Sequence, residues 1–249
     1  MDIIQSVWIG APLSKLEQLA IKSYLANGHE FHLYVYEDVG AVPAGTVVKD
    51  ANEILDKSEI FYYQNGSIAA FSNLFRWTLL YKKGGYWTDM DCVCVRPFKY
   101  DVPFVISSEP SIDYKTTVIN CGLLKFPAGG PEAELGVSIQ RLHKPDILSG
   151  KIQWGSGLTT TDEVVKKFGL EKYVLPWQAI CSCNGRDFRT LLFPTWRALP
   201  QAIRSLNNLP TEMVCIHFYN ELFRRQRLDK NGRFAPNSMF EILKKNYGI

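Results

Sequence analysis

Asp89 and Asp91 stand two residues apart in Thr88-Asp89-Met90-Asp91. In an extended strand both side chains would leave the same face, and at a strand end the chain can bend to aim them at one centre. Carboxylate oxygens suit hard divalent cations such as manganese or magnesium. An ion held there could bridge the two phosphates of a nucleotide-sugar and neutralise the diphosphate that departs when the glycosidic bond breaks. Alone, the triplet is equally the signature of a polar turn. Its surroundings favour the ion site: a buried helix, a Gly84-Gly85 break and Tyr86-Trp87 precede it, and Val93 and Val95 follow. The pair therefore sits at the lip of a core strand, where open α/β sheets bind ligands.

The elements around it follow from hydrophobic spacing. Ile3 to Ile9 reads as an opening strand, and Pro12 begins a helix carried by Leu13, Leu16, Leu19, Ala20 and Tyr24 and ended by Gly28. Phe31 to Tyr36 alternates as a half-buried strand before a turn at Asp38-Val39-Gly40. From Ser67 to Lys83 the helix is apolar nearly all round and belongs inside. Gly84 and Gly85 close it through the left-handed conformation. Tyr86 to Val95 reads as one strand, Phe104 to Ser107 and Val118 to Phe126 as two more, and Val214 to Phe218 as a late one. Helices are expected over Pro131 to Leu142, Thr160 to Phe168 and Ser238 to Tyr247. Strand, helix, strand order favours an α/β fold with parallel strands. No linker or repeat interrupts the 249 residues, so a single domain is expected: a core over 1–128, a helical elaboration over 129–212 and a closing segment over 213–249.

Composition narrows the function classes. With 28 basic and 25 acidic residues the net charge of +3 is too balanced to imply nucleic-acid binding, though it tolerates an anionic substrate. The most basic run, Phe223 to Arg227 with Lys230 and Arg233, reads as a solvated surface or as a contact to phosphates or an anionic membrane face. No leader-like segment and no apolar run long enough to span a bilayer is present. The six cysteines, at 92, 94, 121, 181, 183 and 215, have spacings unlike those of zinc sites and read as reduced, buried thiols. These features give the expectation of a cytoplasmic protein, with peripheral membrane association as the second reading of the basic run.

Ala69 to Arg76, then Leu80-Tyr81-Lys82-Lys83-Gly84-Gly85-Tyr86-Trp87-Thr88-Asp89-Met90-Asp91, resembles the sugar-binding region with the DXD motif of family 32 glycosyltransferases. Val118 to Gly122, Trp154 to Gly157, Leu175-Pro176-Trp177 and His217-Phe218-Tyr219-Asn220 resemble later segments of the α-1,4-galactosyltransferases in the same order. The large clostridial glucosylating toxins carry a block similar to the first. The resemblance implies a GT-A type fold, with a nucleotide-binding mixed sheet flanked by helices. It also implies a UDP-sugar donor, manganese or magnesium, an oligosaccharide or glycoconjugate acceptor, and transfer of a hexose with retention.

Carried over by position, Asp89, Asp91 and His217 would hold the metal, and Asp89, Asp91, Arg76 and Asn120 would form the catalytic group. Trp8, Asn73, Arg76, Trp87, Asp89, Tyr219 and Asn220 would contact the donor. An indole such as Trp8 offers a flat face to the base, and the Arg76 fork matches sugar or phosphate oxygens. An arginine on an apolar helix needs a partner in any case, and one of the aspartates would serve. His217 could equally be a core histidine, and Trp154 or Trp177 a sugar platform or core. The chain departs from the family where Asn73 replaces the usual Asp, Tyr219 a Trp, and Leu158 a Pro. No Ser/His/Asp or Cys/His constellation is evident, so the departing diphosphate itself is expected to take the acceptor's proton. The rival classes are a metal-dependent phosphohydrolase, which needs a second acidic cluster, and a sugar-binding or inactive transferase-like module.

Overall fold

A computed structural model describes residues 3–10, 12–154, 156–193 and 209–249. Strand β1 (Ile3–Trp8) leads into helix α1 (Lys15–Ala26). The helix begins three residues beyond Pro12 because Ser14 is its N-cap. The Ser14 side chain accepts from Leu16 N, and the Glu17 carboxylate returns to Ser14 N at 2.8 Å, a capping box. Glu17 is fully buried and is paired with Lys230, which ties the start of α1 to the late basic segment.

Strand β2 (Glu30–Val35) pairs parallel with β1, and β3 (Val47–Asp50) pairs parallel with β2 at the sheet edge. Helix α2 (Ala69–Lys83) is buried along most of its length, as its all-round apolar surface requires. Gly84 follows at φ 64° and ψ −162°, and Gly85 at φ 81°. These values turn the chain directly into β4 (Gly85–Thr88), which pairs parallel with β1.

The strand expected over Tyr86 to Val95 is in fact two. β4 stops at Thr88, and β5 (Cys92–Cys94) belongs to a separate two-stranded sheet. Between them, Cys92 N donates to Asp89 O at 3.1 Å and Asp89 N donates to Gly122 O at 2.9 Å. That turn breaks the ladder at the acidic pair.

β6 (Val105–Pro110) and β7 (Thr117–Phe126) form a hairpin that adds antiparallel to β4. The main sheet runs β3-β2-β1-β4-β7-β6, a mixed sheet flanked by helices as expected. Helices α3 (Pro131–Leu148) and α4 (Ser156–Phe168) cover one face, and both run longer than the spacing predicts. Gly136 of α3 lies where a Cβ would come within 2.3 Å of the Trp77 ring, so only glycine lets α2 and α3 approach this closely. β8 (Cys215–His217) pairs antiparallel with β5, opposing Cys92 to His217. Short helix α5 (Asn220–Arg225) follows, and α6 (Met239–Tyr247), capped by Ser238, packs against α1. No helix among the described residues is long and apolar enough to cross a membrane.

Alternation across the sheet assigns side chains to its two faces. On β4, Trp87 joins the core under α2 while Tyr86 joins the opposite core with Tyr24 and Phe31. All six cysteines are free and buried, as expected.

Candidate active site

The carboxyl ends of β1 and β4, the α2 face, the β6–β7 hairpin and the β8–α5 junction surround one cavity of about 660 Å³. All ten residues singled out from the sequence line it: Trp8, Asn73, Arg76, Trp87, Asp89, Asp91, Asn120, His217, Tyr219 and Asn220. Trp154 also lines it, whereas Trp177 packs with the core against the edge of Tyr114. Gly155 lies outside the described residues, as do the side chains of Ser156, Gly157 and Leu158.

The turn after β4 sends the two aspartates to different partners. Asp89 Oδ1 accepts from Arg76 Nη2 at 2.7 Å and from Trp87 Nε1 at 2.8 Å. Arg76 Nη1 donates to Asn73 Oδ1 at 3.0 Å, one turn earlier on α2, and the guanidinium lies 5.0 Å from the centre of the Trp87 ring. Arg76 is 3% exposed, and burial opposes its charge, but the Asp89 carboxylate outweighs burial and raises its pKa. The partner that a buried arginine requires is therefore Asp89, whose Oδ1 is fully occupied. At position 73 the amide oxygen accepts from Arg76 as an aspartate oxygen would, without adding charge.

Asp91 points to β8. Its Oδ2 accepts from the Asn220 backbone N–H and lies 3.4 Å from His217 Nε2, while its backbone oxygen accepts from Phe218 N at 2.9 Å. Burial opposes the charge on both members of the pair. The His217 charge nonetheless lowers the Asp91 pKa, and Asp91 holds His217 well above the ordinary histidine value. Tyr219, in the left-handed region at φ 53°, stacks on the His217 ring with centroids 4.2 Å apart and donates to Cys183 O at 2.6 Å. The same turn starts α5 at Asn220, which delivers the amide that Asp91 accepts.

Three buried polar atoms of these residues have no hydrogen-bond partner: Arg76 Nε, Asp91 Oδ1 and His217 Nδ1. Buried polar atoms without partners are costly, and a water, an ion or a ligand can satisfy them. Asp91 Oδ1 and, once an arriving ion displaces its proton, the adjacent imidazole would offer an oxygen and a nitrogen donor, a set that suits manganese better than magnesium. Cys92 lies within the same cluster, and its burial raises the thiol pKa well above normal. Asp89 retains only Oδ2 for such an ion.

Asn120 is only 3% exposed, lines the cavity and hydrogen-bonds within the protein. Its Oδ1 accepts from Gly122 N at 2.5 Å and Ser107 Oγ at 3.3 Å, and its Nδ2 donates to Glu109 Oε2 at 3.0 Å. Glu109, on β6 opposite Val118, lines the cavity and was missed by sequence reasoning. The available signal was a carboxylate inside the otherwise uncharged run Val105–Pro110. In the basic run, Arg224 and Arg225 pair with Glu221, and Arg225 lies 4.7 Å from the centre of the Trp154 ring at the pocket wall. One carboxylate thus serves two arginines, leaving a net positive charge there.

Residues 14–112 match the family model described as the glycosyltransferase sugar-binding region containing DXD motif. That stretch is similar to a glycosyltransferase sugar-binding region. Within that region fall Asn73, Arg76, Trp87, Asp89, Asp91 and Glu109; Trp8 precedes it, and Asn120, His217, Tyr219 and Asn220 follow it. The fold closes these outlying residues around the region's acidic pair. Among solved structures, the chain is similar to "PaToxG Glycosyltransferase" at 16% identity and TM-score 0.48, covering 69% of this chain and 71% of that one. It is also similar to the glycosyltransferase GlyE of Streptococcus pneumoniae TIGR4 at 13% identity and TM-score 0.46, covering 88% of this chain and 55% of that one. This chain thus spans about half the length of GlyE. No curated protein sequence matches it.

Proposed function

We propose that the protein is a retaining glycosyltransferase that moves a hexose from a UDP-sugar to a glycan or glycoconjugate acceptor, with manganese or magnesium on the donor diphosphate. The observation that carries this reading is the coincidence, in one cavity, of the Arg76–Asp89 pair with Asp91 and His217, whose unpartnered atoms suit a cation. The cavity volume falls within the range of small-molecule sites.

In this reading Asp91 and His217 hold the ion, with Asp89 Oδ2 beside them. When bound, the ion supplies Lewis acidity that stabilises the departing diphosphate. The protein's residues bind and orient the donor. Trp8 at the end of β1 offers its ring to the base, with Lys230 Nζ 5.0 Å from the ring centre. Arg76 is clamped by Asp89 and Asn73, so its rigid fork faces the sugar without reorganisation. Tyr219 fixes the His217 ring by stacking, and Asn220 fixes Asp91 through its amide. The acceptor would enter past Trp154, whose ring can stack on a sugar face. Because the cavity draws on residues from Ser6 to Leu222, the whole chain would act as one unit. A phosphohydrolase would need carboxylates for a second ion, whereas Asp89 Oδ1 is committed to Arg76 and Trp87.

Release of UDP from a panel of UDP-sugars, with and without manganese, tests the reading. At least one UDP-sugar is expected to turn over, with a stimulation by manganese of about a hundredfold over chelator. Equal release of phosphate from simple phosphate esters, with no nucleotide-sugar preference, would favour the hydrolase instead.

A further inference from the structure

Four carboxylates line the cavity, and two of them face arginines: Asp89 has Arg76, and Glu221 has Arg224 and Arg225, while Asp91 meets the His217 imidazole. Glu109 has no ion-pair partner among the described residues. Among the described residues its one side-chain hydrogen bond comes from Asn120, and the orientation of that amide is determined. Asn120 Oδ1 accepts from Gly122 N and Ser107 Oγ, so the donor end must face Glu109. A neutral amide thus holds this carboxylate in place without cancelling its charge. Its oxygens lie within 4.8 Å of donor atoms of His217 and Cys181, which places it beside the imidazole that also meets Asp91.

A half-buried carboxylate without a counter-charge costs free energy unless a ligand supplies positive charge or hydroxyl donors. We propose that Glu109 is a catalytic carboxylate facing the sugar carbon that loses its diphosphate, with Asn120 as its positioning residue. This inference rests on the donor reading above. When the bond from that carbon to the diphosphate oxygen breaks, the electron pair leaves with the diphosphate and the sugar ring gains positive charge. The acceptor hydroxyl oxygen forms the new bond to the same carbon, and its proton passes to a diphosphate oxygen. Glu109 gains and loses no proton; its fixed charge lowers the energy of the cationic sugar, which exists only near the transition state. The sequence-based assignment of Asn120 to the transferred sugar is replaced by an action through Glu109.

The test combines UDP binding by calorimetry in manganese with single-turnover UDP release from the donor found in the panel. Glu109→Gln is expected to bind UDP with a Kd within about twofold of wild type while release slows by about a hundredfold or more. Asn120→Ala should slow release by about tenfold with donor KM unchanged. Formate, a small carboxylate, should partly restore release to Glu109→Ala, which a purely structural role would not allow. Release by Glu109→Gln within about threefold of wild type overturns the assignment and leaves the donor reading standing. So does loss of UDP binding in Glu109→Gln together with no formate rescue. If the wild-type chain does not bind UDP in manganese, the donor reading fails and this assignment fails with it.

Discussion

Asp91→Asn is expected to lower UDP release by about a thousandfold at saturating donor and manganese, a loss of about 4 kcal/mol of transition-state stabilisation. The substitution keeps the shape of the side chain and its acceptor for the Asn220 amide, and removes only the charge. Asp91 rather than Asp89 carries the larger effect because the two aspartates have unequal freedom. Asp89 Oδ1 is saturated by Arg76 and Trp87, whereas Asp91 Oδ1 is buried and unpartnered beside His217. The fold should survive, since His217 can shed its proton once the Asp91 charge that raised its pKa is gone. Circular dichroism and a melting curve would establish that survival, and kinetics of UDP release at several manganese concentrations would measure the loss. Restoration of turnover by excess metal would mean that Asp91 only tunes affinity for the ion.

Gly84→Ala is expected to lower the melting temperature by about 6–12 °C, corresponding to about 3 kcal/mol for a chain of this size. Two independent causes add. At φ 64° and ψ −162° the backbone occupies a region open essentially to glycine alone. A Cβ there would also stand 2.5 Å from the backbone nitrogen of Ala128, which cannot move like the end of a side chain. Gly84 joins α2 to β4 with no spacer, so the substitution also displaces Arg76 relative to Trp87 and Asp89. Differential scanning calorimetry checks the first effect. A fall in UDP affinity in the fraction that remains folded checks the second.

Much of this architecture is legible in the chain because it depends on local patterns. The apolar surface of α2, the Gly84-Gly85 break and the apolar run of β7 are each specified within a dozen residues, and each forms where expected. The division of β4 from β5 is not specified that way. Tyr86 to Val95 has unbroken strand character, and the break comes at the turn in which Cys92 N donates to Asp89 O, after which β5 leaves the main sheet to pair with the distant β8. Strand β3 escaped notice because its four residues alternate between half-buried and exposed at the sheet edge, giving little hydrophobic signal. The candidate site shows the same limit. Residue type and spacing point to Asp89, Asp91 and Arg76, but only the folded chain reveals that Arg76 saturates one aspartate and leaves the other to His217. Asn120 looked like a ligand contact because an amide on a strand has no obvious internal use. Its partners Ser107, Glu109 and Gly122 lie on two strands, and their convergence depends on the β6–β7 register.

The claim that Asp91 and His217 form a cation site for a nucleotide diphosphate is tested most directly by titrating manganese against the protein in the presence of UDP, with electron paramagnetic resonance reading the free ion. The account predicts that wild-type protein with UDP removes about one manganese ion per chain from solution at micromolar concentrations, well below the concentration needed without UDP. A free-manganese signal that stays the same with and without protein, at every UDP concentration, would contradict it.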